Sequence, residues 1–65
     1  MAKYPTIKVK LVGQNGNALV ILGLTVSAMK RAGVALERIE EFKKEAMSGD
    51  YDHLLQTVME WVEVE

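Results

Sequence analysis

Sixty-five residues with a hydrophobic fraction of 49%, a formal net charge of −1 and no cysteine describe one small domain with enough apolar material for a core and no disulfide to brace it. The same inventory excludes a cysteine-built zinc or iron–sulfur centre, and one histidine, His53, cannot supply a multi-histidine site within the chain. The near-neutral balance gives no global field to draw nucleic acid or an anionic membrane, so good packing or self-association is expected to offset the marginal stability of so short a chain.

The N-terminus leads through Tyr4 and Pro5 to Lys8 and Lys10 rather than into an apolar run, so no signal peptide is expected. The longest apolar stretch, residues 18–24 with a weak extension to Met29, falls short of the ~20 residues of a membrane span. With the lack of cysteine, this points to a cytoplasmic protein. Residues 7–12 alternate apolar and basic, which is the period of a half-buried strand. Ile7, Val9 and Leu11 are expected to face the core, Lys8 and Lys10 the solvent, and Pro5 to sit just before the strand.

Residues 13–17 are the clearest break and admit two readings. In one, Asn17 is an N-cap and a helix runs from Ala18 to about Ala32, ending at Gly33. In the other, Asn15 and Gly16 form a hairpin turn and residues 18–26 a second strand, on the alternation of Leu22, Leu24 and Val26 with Gly23, Thr25 and Ser27. The helix is preferred, because Lys30 and Arg31 before Gly33 resemble a helix end with cations opposing the dipole.

Residues 36–47 predict a second helix, with Leu36, Ile39, Phe42, Ala46 and Met47 on one stripe and a Glu40–Lys44 pair on the outside. Val34 and Ala35 offer it no capping side chain, and Gly49 ends it. Asp50 then caps a third helix whose apolar stripe is Tyr51, Leu54, Leu55, Val58, Met59 and Val62. From Trp61 the pattern alternates with period two, so residues 61–65 read either as a strand beside the first or as a frayed tail. As a strand they set Glu63 and Glu65 against Lys8 and Lys10. The expected fold is α+β, in the order β-α-α-α-β.

Residues 8–13, Asn15 to Ala18, Ile21 to Gly23, Arg31 to Val34, Glu41-Phe42, 49–55 and Trp61 to Val64 together resemble a family of small bacterial proteins of unknown function, also carried by phages and plasmids. The resemblance implies a charged helix in the middle of the chain and supplies no activity.

Four groups of residues can carry chemistry. Asp50, Asp52 and His53 are an acid–histidine cluster, but two aspartates already serve the first turn of a helix and the set is short of the three or four ligands a metal needs. Asn15, Gly16 and Asn17 before a helix form a possible anion-binding turn, without the Gly-Lys-Ser/Thr ending of a P-loop. Lys3, Lys8, Lys10, Lys30 and Arg31 can form a basic patch, yet the third helix carries Asp50, Asp52 and Glu60, with Gln56 and Thr57 as its only base readers. Ser27 and Ser48 have no basic neighbour in sequence, so no enzyme and no cofactor is expected.

The fourth group is the first helix itself. Ala18, Leu19, Val20, Ile21, Leu22 and Leu24 are apolar around the whole circumference, which requires burial on more than one side. Either the rest of the chain wraps it or a second copy or another protein covers it. The expected role is a small non-catalytic protein-interaction module, a homodimer or a binder of another protein, with Leu19, Val20, Leu24 and Met29 as contact residues. The alternative is a small nucleic-acid-binding or regulatory domain of a mobile element.

Overall fold

A computed structural model describes residues 2–11 and 16–65. The elements are β1 (Tyr4–Val9), α1 (Ala18–Arg31), α2 (Leu36–Ala46), α3 (Tyr51–Trp61) and β2 (Val62–Val64), the expected β-α-α-α-β order. The helical reading of the second segment holds, and residues 18–26 are not a strand. Asn17 caps α1 through Oδ1, which accepts the Leu19 N–H at 2.8 Å. After Arg31 the chain reverses at Gly33, whose φ of +83° is the left-handed conformation that a side chain resists.

β1 and β2 are parallel neighbours in a two-stranded sheet, so the whole helical part of the chain is one crossover between them. Lys8 pairs with Glu63 and Val9 with Val64, and Lys8 Nζ lies 3.9 Å from Glu65. The C-terminal segment is therefore a strand, but it starts at Val62, because α3 continues through Trp61. β1 also begins earlier than its alternation suggests and includes Pro5. The register explains the tolerance: pairing jumps from Tyr4–Val62 to Lys8–Glu63, so Pro5, Thr6 and Ile7 bulge out of the ladder, where a missing N–H costs little. Leu11 lies beyond the strand and is half-buried, although its N–H still donates to the Glu65 carbonyl at 3.0 Å. Val12 is outside the described residues.

The core is a single cluster. Ile7, Val9 and Val62 from the sheet meet Ile21, Leu22, Ala28 and Met29 of α1, Ile39, Phe42 and Ala46 of α2, and Leu54, Val58 and Trp61 of α3. Two threonines are buried with them, and each satisfies its hydroxyl within its own helix: Thr25 Oγ1 donates to Ile21 O at 2.9 Å and Thr57 Oγ1 to His53 O at 2.8 Å. The inner stripe of α3 is thus Leu54, Thr57, Val58 and Trp61, while Tyr51 and Met59, expected inside, are exposed. α2 differs likewise. Leu36 and Met47 stand outside, and Glu40 pairs with Lys43 at 3.3 Å instead of with Lys44.

Trp61 is the hub that the strand-like alternation concealed. Its ring is 1% exposed, stacks on Tyr4 with centroids 6.0 Å apart, and meets Phe42 edge-on at 5.6 Å. Lys3 Nζ sits 4.1 Å above the ring, the Arg38 guanidinium 5.3 Å from it, and the indole N–H donates to Glu45 at 3.2 Å. The Lys3 N–H also donates to Glu60 O at 2.8 Å, so the chain's start caps the end of α3, which has no cation of its own in its last turn.

Candidate functional site

α1 resolves the question posed by its composition. Ile21, Leu22, Thr25, Ala28 and Met29 face inward, and Leu24 and Val26 are half-buried. Leu19 is 72% exposed and Val20 is exposed, with Gly23 and Ser27 continuing the outer face. The described part of the chain does not wrap this helix. Of the four expected contact residues, Leu19 and Val20 are on the surface and Leu24 is partly so. Met29 must be corrected: it is 0% exposed and belongs to the core, because the helix turns it inward one turn after Thr25.

Leu19 does not stand alone. The first turn of α1 meets the end of α2 and the start of α3 around an apolar cleft of about 220 Å³. Leu19, Leu22, Ala46, Met47, Tyr51 and Leu54 line it, and Asp50 is its one charged lining residue. Three large exposed side chains, Leu19, Met47 and Tyr51, therefore gather at one place. Sequence periodicity assigned Met47 and Tyr51 to the core stripes. The signal that would have moved them is their position at helix ends, where the chain turns away and one side of the residue has no neighbour. A larger concavity between Glu37, Glu40, Glu41, Lys43, Lys44 and Met47 is an open trough among long side chains on the outer face of α2.

The acid–histidine cluster has structural work. Asp50 Oδ1 accepts the His53 N–H at 2.9 Å and caps α3. The His53 ring turns toward the end of α2, with Nε2 2.9 Å from Glu45 O. A carbonyl only accepts, so Nε2 carries the proton there. Ser48 does have a basic neighbour in space, since its Oγ is 3.1 Å from the same nitrogen, but the hydroxyl donates to Glu45 O at 2.7 Å. In this arrangement the imidazole is a donor and not a base for Ser48. Both side chains join the Ser48 backbone N–H, which donates to the same carbonyl at 3.2 Å, at the end of α2. Among the described residues no group of three His, Asp or Glu converges to hold a metal ion.

The other expected sites are dispersed. Asn15 lies outside the described residues, Gly16 is exposed, and Asn17 turns its carbonyl oxygen to the helix it caps. Of the basic residues, Lys8 is answered by Glu65, Lys3 lies over Trp61, and Lys30 and Arg31 close α1. Thr57, one of two base readers, is fully buried. Arg38 donates to the Tyr4 hydroxyl at 3.3 Å and to Glu41 at 2.6 Å; the Tyr4 bond first, then the Glu41 charge, raises its pKa above the ordinary value.

These features define a small α+β domain with an apolar cleft at one end of its helical layer. No helix among the described residues is long and apolar enough to cross a membrane. Comparisons with protein-family models, with curated proteins and with solved structures found no match to the chain.

Proposed function

We propose that the protein is a non-catalytic interaction module that self-associates or binds another protein through the cleft at Leu19, Met47 and Tyr51. The observation that supports this reading most is the grouping of three large exposed apolar side chains around one concavity, on a chain with few buried residues to spare. Leaving such groups in water costs stability that a domain of this size can scarcely spare. The cleft is also smaller than the roughly 300–1,000 Å³ of small-molecule pockets, and suits an inserted side chain better than a substrate. Nucleic-acid binding has less support, because Thr57 is inaccessible and Asp50 and Asp52 occupy the exposed start of α3.

The test compares the wild-type chain with Leu19→Glu, which alters an exposed position and leaves the core intact. Light scattering across a concentration range measures self-association, and the two immobilised chains report capture of a binding protein. Association or capture shown by the wild type and lost in Leu19→Glu supports the cleft. Equal behaviour of the two chains removes it as the contact surface.

A further inference from the structure

The cleft has three walls, and each has its own charge. The α1 wall is neutral, because no residue from 16 to 29 is charged, and Leu19 stands exposed on it. The α2 wall is basic: Lys43 and Lys44 close that helix beside Met47. The α3 wall is acidic: Asp50 lines the cleft, and Asp52 is exposed in the first turn that follows. The remaining charges of α2 and α3 are engaged or remote. Glu40 pairs with Lys43 at 3.3 Å and Glu41 with Arg38, Glu45 accepts the Trp61 indole N–H, and the His53 ring is turned to the Glu45 carbonyl. Glu37 and Glu60 are about 13–15 Å from the cleft along their helices at 1.5 Å per residue. Lys44 and Asp52 are both exposed and make no ion pair among the described residues.

Resting on the cleft reading above, we infer that the cleft is covered by a second copy of this chain, related by a two-fold axis that runs along the boundary between the basic and acidic walls. A half-turn about an axis lying in the contact plane exchanges its two sides, so the α2 wall of each copy lies over the α3 wall of the other. Lys43 and Lys44 then face Asp50 and Asp52 twice, around the Leu19, Met47 and Tyr51 side chains of both copies. A surface with opposite signs on the two sides of an apolar centre is complementary to itself, which is what an isologous contact requires. No second surface is needed, and the assembly closes at two copies. The patch has far fewer side chains than the ~20–30 residues a side of a standard interface, so the dimer is weak and the concentration series must reach the millimolar range.

The experiment is sedimentation equilibrium on the wild type, Leu19→Glu, Lys44→Glu, Asp52→Lys and an equimolar mixture of the last two, with circular dichroism confirming that each variant folds. The wild-type mass is expected to rise with concentration from one copy to two and stop there. Each charge reversal alone sets like charges together at both rims and weakens the dimer roughly tenfold. The mixture recovers the wild-type affinity. Its heterodimer pairs the two reversed positions with each other and the two native positions with each other, so both contacts again join unlike charges. An ion pair within one chain cannot give this recovery. Should a reversal unfold the chain, Lys44→Gln and Asp52→Asn carry the same test, with a smaller weakening of each and partial recovery in the mixture. A wild type that stays monomeric overturns the inference, as does growth beyond two copies or a mixture no tighter than its components. If Leu19→Glu is monomeric while both charge reversals dimerise as the wild type does, the two-fold arrangement falls and the cleft stands. If Leu19→Glu dimerises unchanged, both fall.

Discussion

Gly23 and Gly33 allow one substitution to be made twice with opposite expected signs. A Cβ built at either position meets no atom within 4 Å, so alanine adds neither a clash nor a contact at either site. Only the backbone differs. Gly23 lies in the interior of α1 and has ordinary helical surroundings, where alanine is favoured over glycine by about 0.5–1 kcal/mol. Gly33 has a φ of +83°, where a Cβ costs roughly 1–2 kcal/mol. In a domain whose core supplies only ~3–5 kcal/mol, both effects are large fractions of the total. At roughly 4–8 °C per kcal/mol, Gly23→Ala is expected to raise Tm by about 2–8 °C, and Gly33→Ala to lower it by about 4 °C or more. Far-ultraviolet circular dichroism at low protein concentration, by heat and by urea, reads both. The urea slope should stay constant, since neither change alters the buried surface. A lower Tm for Gly23→Ala would refute the reasoning: it would mean that α1 is not a continuous helix there, or that its outer face is covered.

Met29→Ala is expected to cost about 2–5 kcal/mol and leave the chain largely unfolded by circular dichroism; a folded variant of normal Tm that has lost only association would return Met29 to the surface. Gly49→Ala places a Cβ 2.8 Å from His53 Cγ and drives the imidazole off the Glu45 carbonyl, for a loss of about 1–3 kcal/mol in urea denaturation. That loss should shrink in a His53→Ala background, and an unchanged loss would show that the ring is not what the new methyl meets. Trp61→Phe keeps an aromatic ring beside Tyr4 and Phe42 but deletes the indole N–H on Glu45 at 3.2 Å and part of a ring system that is 1% exposed, so the urea midpoint should fall by the equivalent of about 2–4 kcal/mol. No change would mean that Trp61 is not enclosed in solution as described.

The element order was legible because local signals agreed with one another. Asn17 and Asp50 are caps that act within one turn of themselves, Gly33 supplies a conformation that its neighbours resist, and the alternation of Ile7, Lys8, Val9 and Lys10 is a two-residue period. The pairing of the first and last strands was also readable, since Lys8 on one pairs with Glu63 and lies 3.9 Å from Glu65 on the other, although Lys10 falls beyond the end of β1. Each of these features depends on residues close in sequence or on a charge pattern.

The candidate site was less so. Leu19 and Val20 stood out by composition, but Met47 and Tyr51 satisfy helical periodicity as well as any core residue does. Periodicity gives the direction of a side chain around its helix axis. It does not say whether another element lies in that direction, and at the ends of α2 and α3 none does. Met29 and Thr57 show the reverse case, a contact residue and a base reader by type that are enclosed by the packing of α1 and α3 on the sheet. Ser48 and His53 likewise meet only because α3 folds back against the end of α2. Hydrogen bonds and propensities within a turn determined which elements form. The cleft and the Trp61 hub come from how those elements stack, because burial depends on residues far away along the chain.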